Sequence, residues 1–462
     1  MIPQSLDNLC RQIPACILSL DATLLRLAVT ALPAEEIIES LRFASQRQVS
    51  FEVWPLARIE NCRQQTASPS SSPVSGNPES TNIPELAGQL LALAIRLRAS
   101  DIHIEPTPEG IRARLRIDGI LSPCPLRLHC PGNSLIARFK ILAGVDIAEN
   151  RLPQDGQLSY ETGDDRQSFR LSTLPTHFGE KVVLRRLQTL SAALTPAQLG
   201  LEPDTLTQLL AVLQQPQGMI LVTGPTGSGK TLTLYSLLNA LNTPDRNLST
   251  VEDPIEMTLP GINQTQINTR AGLDFARILR ALLRQDPDVI MIGEIRDNET
   301  ADIAVKAAQT GHLVLSTLHT NSTPEAITRL RQMGIAGYLL AASLRLVIAQ
   351  RLVRRLCRHC RRQADTTLPG PPGRQPSAIT HWLAEGCDHC FGGYYGRFAI
   401  FEVLAITGDL HQAIAADVSS QELKMIASRQ GMQPLFMSGL NAVSRADTSW
   451  AEVLRVTGGL DE

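Results

Sequence analysis

The 462 residues carry 43 Lys and Arg against 45 Asp and Glu, a formal net charge of −2, with 43% hydrophobic and 4% aromatic side chains. This is ordinary for a soluble globular protein of roughly two to four domains, and the near-neutral balance does not advertise a nucleic-acid binder. No uncharged apolar run reaches the roughly 18–20 residues needed to cross a bilayer; the nearest, Leu339–Ala349, is interrupted by Arg345.

The N-terminus, Met1 to Asp7, has no basic segment leading into an apolar stretch, so no signal peptide is expected and the predicted location is the cytoplasm. Residues 1–62 mix short apolar runs, such as Leu25–Val29 and Val49–Val53, and read as a small N-terminal α/β module. Residues 63–84 are rich in Ser, Pro, Thr and Asn and read as a flexible linker, because such a composition buries too little apolar surface to offset its ordering entropy. A second module spans 85–201: a helix over Glu85–Arg98, a strand over Ile111–Ile117 before an Asp118-Gly119 turn, a helix over Ser134–Leu142, and strands at Phe169–Leu174 and Lys181–Leu187. The third, 202–462, alternates apolar strands with amphipathic helices, which predicts a parallel sheet covered on both faces. No solenoid-type repeat is present.

Within that third module, Met219–Val222 reads as a buried strand and Thr231–Leu241 as a helix. Between them lies Gly224-Pro225-Thr226-Gly227-Ser228-Gly229-Lys230-Thr231. Glycines let successive backbone N–H groups converge on phosphate oxygens, and the helix adds its positive end. In this strand–loop–helix context the pattern is a phosphate-binding loop, with Lys230 reaching the β- and γ-phosphates and Thr231 ligating Mg²⁺. A second apolar strand, Val289–Ile292, ends in Gly293-Glu294, where such folds hold the Mg²⁺ shell. Glu294 binds that metal through water or acts on the attacking water.

Glu252, Asp253 and Glu256 form an acidic cluster that is either a solvated turn or a source of the carboxylate that deprotonates water. His312 and His319 flank another apolar strand. His319, at its far end, is the candidate γ-phosphate sensor. Arg277, Arg280 and Arg284 fall at i, i+3 and i+7 of a predicted helix. They make a solvated or ion-paired face, or they serve a neighbouring subunit's γ-phosphate, which needs a ring oligomer.

Nine cysteines, an odd total, point to a reducing compartment and not to a disulfide scaffold. Cys10, Cys16, Cys62, Cys124 and Cys130 follow no ligand pattern and read as small buried hydrophobes or incidental thiols. Cys357, Cys360, Cys387 and Cys390 form two CxxC pairs 26 residues apart, which supply four thiolates for structural Zn²⁺. His359 and His389 are spectators there. The basic run Arg351, Arg354, Arg355, Arg358, Arg361 and Arg362 reads either as a solvated face or as a contact for anionic lipid or an acidic partner.

Together these motifs resemble the secretion ATPase family of type II secretion and type IV pilus assembly, over about residues 85–460. The ordered set is Arg98-Ala99-Ser100-Asp101-Ile102-His103-Ile104-Glu105-Pro106, Arg116-Ile117-Asp118-Gly119, Arg151-Leu152-Pro153-Gln154-Asp155-Gly156, the phosphate loop, the acidic box Glu252–Glu256, Gly293-Glu294-Ile295-Arg296-Asp297, the histidine box and the two CxxC pairs. The resemblance implies an α/β fold in which a PAS-like lobe precedes a RecA-like motor, in a homo-hexameric ring. It implies hydrolysis of ATP to ADP and phosphate, which moves the lobes against an inner-membrane platform protein that adds pilins to a filament.

It further implies Glu256 as the general base, Glu294 in the Mg²⁺ shell, and Arg114 and Arg116 as nucleotide contacts. The zinc loop looks like the assembly and secretion branch. Residues 1–62 lack the arginine–leucine–glycine motifs with which some relatives bind cyclic dinucleotide. The competing readings are a pilus-linked DNA-uptake motor, a RecA-like nucleic-acid motor and a nucleotide-binding scaffold without turnover. No stretch interleaves basic with aromatic residues as a stacking platform, so no direct nucleic-acid contact is expected.

Overall fold

The computed structural model describes residues 15–20, 24–30, 33, 38, 48–53 and 82–458, the last span without 129, 163–164, 188–193 and 370–377. Cys10, Cys62 and nearly all of the predicted linker lie outside the described residues. The chain divides into two compact units, Met1–Ser80 and Thr81–Glu462. In the first, Ala15–Leu20 pairs antiparallel with Leu24–Val29, which pairs parallel with Gln48–Val53. Leu25, Leu27, Ala28 and Val29 are buried.

The second unit opens with the helix Ile83–Arg96, whose N-cap Asn82 accepts from the Glu85 N–H and whose Leu86, Leu90, Leu91 and Ala94 are buried at helical spacing. The helix stops before the predicted Arg98, because Arg98 turns to a left-handed φ of 58° and starts the strand Ala99–Thr107. That strand is central in a six-stranded antiparallel sheet ordered Ile120–Pro123, Gly110–Ile117, Ala99–Thr107, Gly179–Leu187, Asp165–Thr176, Gln154–Thr162. Alternation sets its two faces. Ile102, Ile104, Leu115, Phe169, Leu171 and Leu184 pack with Leu90, Leu91 and Phe139 of the helices Ile83–Arg96 and Gly132–Leu142. Asp101 and Glu105 lie instead among the arginines of neighbouring strands.

The larger part is a seven-stranded sheet ordered Asn263–Gln266, Leu248–Glu252, Val289–Ile292, Leu313–Leu318, Gly218–Thr223, Leu344–Leu356, Tyr394–Ala405. The first six run parallel and the last pairs antiparallel as an edge. Every residue of Gly218–Thr223, Val289–Ile292 and Leu313–Leu318 is buried, as expected for parallel strands covered on both faces. Met219 and Leu221 enter one core with the helices Phe275–Leu282, Asn298–Gln309 and Thr323–Gln332. Ile220 and Val222 enter the other with Pro203–Leu213 and Lys230–Leu241. This doubly wound arrangement is the expected RecA-like architecture.

Two expectations need correction. Arg284 is not on the helix of Arg277 and Arg280: that helix ends at Leu282, and Asp286 takes a φ of 52° immediately before Pro287, whose ring disfavours helical geometry in the preceding residue. Nor is the arginine run one surface. Arg351, Arg354 and Arg355 lie on the strand Leu344–Leu356, where alternate residues face opposite ways, and Arg361 and Arg362 on the strand Arg361–Pro369. Arg351 is buried, Arg354 pairs with buried Glu452, Arg355 with Asp447 and Arg362 with Glu385, and Arg361 donates to the Ala446 carbonyl. Groups of the same chain thus engage five of the six, and Arg358 is exposed. Among the described residues no helix is long and apolar enough to cross a membrane.

Candidate nucleotide and metal sites

At the C-terminal end of Gly218–Thr223 the chain turns through Gly224, Gly227 and Gly229, with φ of 150°, 80° and 88°, into the helix Lys230–Leu241. Gly224 is required sterically as well as conformationally: a Cβ there would lie 2.5 Å from the Gln350 carbonyl oxygen. Pro225, Thr226, Gly227 and Thr231 are exposed, whereas Ser228 is buried and its Oγ has no hydrogen-bond partner among the described residues. Lys230 is 8% exposed and donates to the carbonyls of Gly224 (2.8 Å) and Pro225 (3.1 Å). Burial pushes its ammonium down to about 8, Glu294 pulling it up and Arg351 pushing it further down. A glycine loop at a helix N-terminus, with a buried cation at its base, is built to receive phosphate.

The neighbouring strand ends carry the acidic groups. Glu294, half-buried, holds His319 Nε2 at 3.2 Å on one oxygen and a close Arg296 guanidinium on the other. Arg296 also reaches Asp253 at 3.4 Å, so one chain of charges links the acidic box, Glu294 and the histidine box. Arg296 belongs to the Gly293–Asp297 motif, where the sequence by pattern alone assigns it no role.

Within the acidic box the carboxylates differ. Glu252 is buried and accepts from Thr250 (2.6 Å), Gln264 (3.1 Å) and, at short range, Tyr235. Glu256 is exposed on the following loop, and its N–H donates to the same Tyr235 hydroxyl at 3.3 Å. Glu252 is therefore held within the fold, whereas Asp253 and Glu256 are exposed.

Two further groups come from the strand beyond the phosphate loop. Gln350 donates to the Ser228 carbonyl at 2.8 Å and accepts from Thr233 at 2.7 Å. Arg351 spans from the Gln350 carbonyl (3.0 Å) to the Asn321 carbonyl (3.2 Å), tying the loop after His319 to the phosphate loop. Neither residue stands out in the sequence, where Arg351 is one of six nearby arginines. His312, at the other end of its strand, meets the Ala307 carbonyl at 3.1 Å, which is a structural bond. Arg280 pairs with Glu299, and Arg284 donates to the Arg280 carbonyl at 2.8 Å. Both are exposed on the chain's own surface.

On the charged face of the antiparallel sheet, Arg114 forks onto Glu105 (2.9 and 2.6 Å), joined by Arg112 and Lys181. Burial pushes the Glu105 carboxyl up, and hydrogen bonds from Arg114 and Lys181 outweigh it, holding it at about 2. Arg116 donates to the Gly119 carbonyl at 3.0 Å and lies 3.7 Å from Asp101. Cations outnumber anions here.

The four cysteines converge. The sulfurs of Cys357, Cys360, Cys387 and Cys390 all lie within 4.8 Å of one another. Cys357–Cys387 is 3.8 Å, and Cys360–Cys390 and Cys387–Cys390 are each 3.7 Å. Zinc–sulfur bonds of ~2.3 Å in a tetrahedron place sulfurs about 3.8 Å apart, so the set fits a closed zinc site. The Gly386 and Cys387 N–H groups donate to Cys360 (3.3 Å) and Cys390 (3.2 Å). His359 and His389 stack on each other at 4.6 Å, outside the ligand set. The intervening segment is an antiparallel ribbon, Arg361–Pro369 against Ala378–Ala384.

A family model described as Type II/IV secretion system protein matches residues 77–455. The chain is 50% identical over 457 residues to the Protein transport protein HofB homolog of Escherichia coli (strain K12), across 99% of this chain and 98% of that protein. It is 48% identical over 378 residues to the Type IV pilus assembly ATPase PilB of Pseudomonas aeruginosa, across 80% of this chain and 66% of that one. Among solved structures, the pilus retraction motor PilT with bound ADP superposes with a TM-score of 0.55 at 26% identity, over 80% of this chain and 96% of that one. The Legionella pneumophila ATPase DotB gives a TM-score of 0.60 at 23% identity, over 83% and 96%, and shares the fold.

Proposed function

The chain belongs to the type II/IV secretion system protein family, and on that premise we propose that it hydrolyses ATP to ADP and phosphate at the Gly224–Thr231 loop, powering assembly of a type IV pilus or type II secretion pseudopilus. The observation that carries this reading is the convergence of Lys230, Glu294 and His319 at adjacent strand ends. The loop N–H groups and the helix N-terminus bind the phosphates, and Lys230 leaves its two carbonyl partners to pair with the β- and γ-oxygens. Mg²⁺, held by the exposed Thr231 hydroxyl and by Glu294, would neutralise charge on those oxygens.

Glu256 is the general base and takes the proton of the attacking water. His319, hydrogen-bonded to Glu294, reports the γ-phosphate. Arg114 and Arg116 of the lobe, residues 85–201, contact the nucleotide. Arg280 and Arg284 of the motor, 202–462, face the next subunit of a homo-hexamer. The four cysteines hold structural Zn²⁺. The ring works on the cytoplasmic side of the inner membrane, through a platform protein and without nucleic acid.

Lys230→Ala is expected to lower ATP turnover about 10²–10³-fold, the usual cost of one electrostatic group at developing charge, with the subunit still folded. In a deletion strain, only the wild-type gene should restore surface filaments counted by electron microscopy. Equal filament counts in all strains would remove pilus assembly from the reading, and the secreted proteins would then be compared.

A further inference from the structure

The zinc knuckle and the N-terminal lobe meet, although nothing in the hydrolytic site requires it. Directly after Cys390, Phe391 and Tyr394 exchange backbone hydrogen bonds (3.0 and 3.1 Å) around Gly392 and Gly393, whose φ values are 58° and 84°. This is a tight two-residue hairpin. Its Gly393 carbonyl accepts from the Cys357 N–H at 2.9 Å, so the turn is bonded to the opposite knuckle as well.

Facing it is another two-residue turn, Asp118-Gly119 with φ of 47° and 88°, which closes the lobe hairpin from Gly110–Ile117 to Ile120–Pro123. Three contacts join the segment from Phe391 to Gly396 to the lobe. Asp118 Oδ2 accepts from the Gly396 N–H at 3.0 Å. Arg98, itself in a left-handed conformation and 3.4 Å from Asp118, lays its guanidinium 3.6 Å from the centre of the Tyr395 ring. Phe391 packs against the core of the lobe.

We propose that the four-cysteine centre is the anchor of the motor segment on which the lobe docks within one chain, with Arg98, Asp118, Phe391 and Tyr395 as positioning residues. A metal tying four thiolates rigidifies the segment from Cys387 to Gly393, and the docking residues follow within six positions. The anchored hairpin carries Arg116, whose guanidinium donates to the Gly119 carbonyl of the docked turn, and Arg114 two residues before it. The metal centre thereby sets where those two arginines stand. Their importance for nucleotide rests on the motor reading above, whereas the docking does not.

The competing explanation is that the turn needs no metal. Tyr394 is already held by Ser449 at 2.7 Å and by the Arg354 guanidinium at 3.8 Å from its ring. Hydrogen exchange by mass spectrometry on the full chain, zinc-loaded and after chelation, separates the two. Anchoring predicts faster exchange after chelation at Phe391–Arg397 and also at Arg98–Asp101 and Leu115–Leu121, with the distant Gln154–Thr162 strand unchanged. Faster exchange confined to Cys357–Cys390 would overturn it.

Should chelation unfold the motor, Asp118→Asn and Tyr395→Ala replace it. Both should keep one zinc per chain and loosen Arg98–Asp101 and Leu115–Leu121; wild-type exchange there in both variants overturns the proposal. These readouts need no hydrolysis, so a chain inactive for other reasons still tests the docking. Loosened lobes with an unchanged KM for ATP would leave the anchor standing and remove Arg114 and Arg116 from the nucleotide site.

Discussion

Lys230 sits in a place that conflicts with its charge. Its aliphatic stem and ammonium are enclosed by the loop it serves, and burial lowers its pKa to about 8. The sign of the consequence differs for stability and for binding. Between about pH 8 and the ordinary lysine range the unfolded chain holds more protons at this site, so stability from this group rises with pH. Phosphate pairing runs the other way, since only the ammonium attracts the oxygens. The KM for ATP at constant ionic strength is therefore expected to rise as pH passes about 8, approaching tenfold one unit higher. A KM that stays flat from about pH 7 to 9.5 would show that the amine remains charged throughout. Glu252 shows the same physics with a different resolution: three donors surround a buried carboxylate, and Tyr235 among them, its own pKa raised by burial and by Glu252, also receives the Glu256 N–H. One phenol thus ties the phosphate-loop helix to the acidic box.

Among the elements, the edge strand Tyr394–Ala405 does more than close the sheet. Its Glu402, 5% exposed, accepts from the Thr323 N–H and hydroxyl (both 2.8 Å) and from the Leu435 N–H (3.4 Å). The caps of these two helices, Ser322 and Pro434, make no side-chain cap bond, so one carboxylate from a remote strand serves both positive ends. Glu402→Ala would leave buried N–H groups unsatisfied, and a loss of about 2–4 kcal/mol is expected. The urea midpoint of the purified protein, compared with wild type at equal slope, measures it. An unchanged midpoint would mean that water or a side-chain shift replaces the carboxylate.

For the whole molecule, the arginines outside the hydrolytic cluster decide whether one chain is a complete enzyme. Arg280 and Arg284 stand on the surface, bound among the described residues to Glu299 and to a backbone carbonyl of the same chain. If Arg284 acts on a neighbour's γ-phosphate, Arg284→Ala alone should cut turnover about 10³-fold or more. Mixing that variant with Lys230→Ala should recover part of the activity, because each supplies what the other lacks at their shared interface. Two inactive variants that stay inactive when co-assembled would confine catalysis to groups within one subunit.

The amino-acid sequence by itself determined whatever chemistry is local in the chain. A phosphate loop is eight consecutive residues between an apolar strand and a helix, so Lys230 and Thr231 are readable without a partner. Glu294 follows from the strand that precedes it, and each CxxC pair from its own spacing, because a metal needs only four thiolates brought together. Tertiary structure decided everything that depends on which strand lies beside which. Arg351 meets Asn321, Arg296 joins Asp253 to Glu294, Glu402 caps two helices and Asp118 meets Gly396 across separations of 30 to 278 residues. Such pairings leave no periodic trace in composition, since a polar residue on a strand reads the same whether it faces water or a distant backbone N–H. The run of arginines makes the point most directly: six like charges within twelve positions suggest a surface, and the pleat of one strand turns one of them into a buried tie under the phosphate loop.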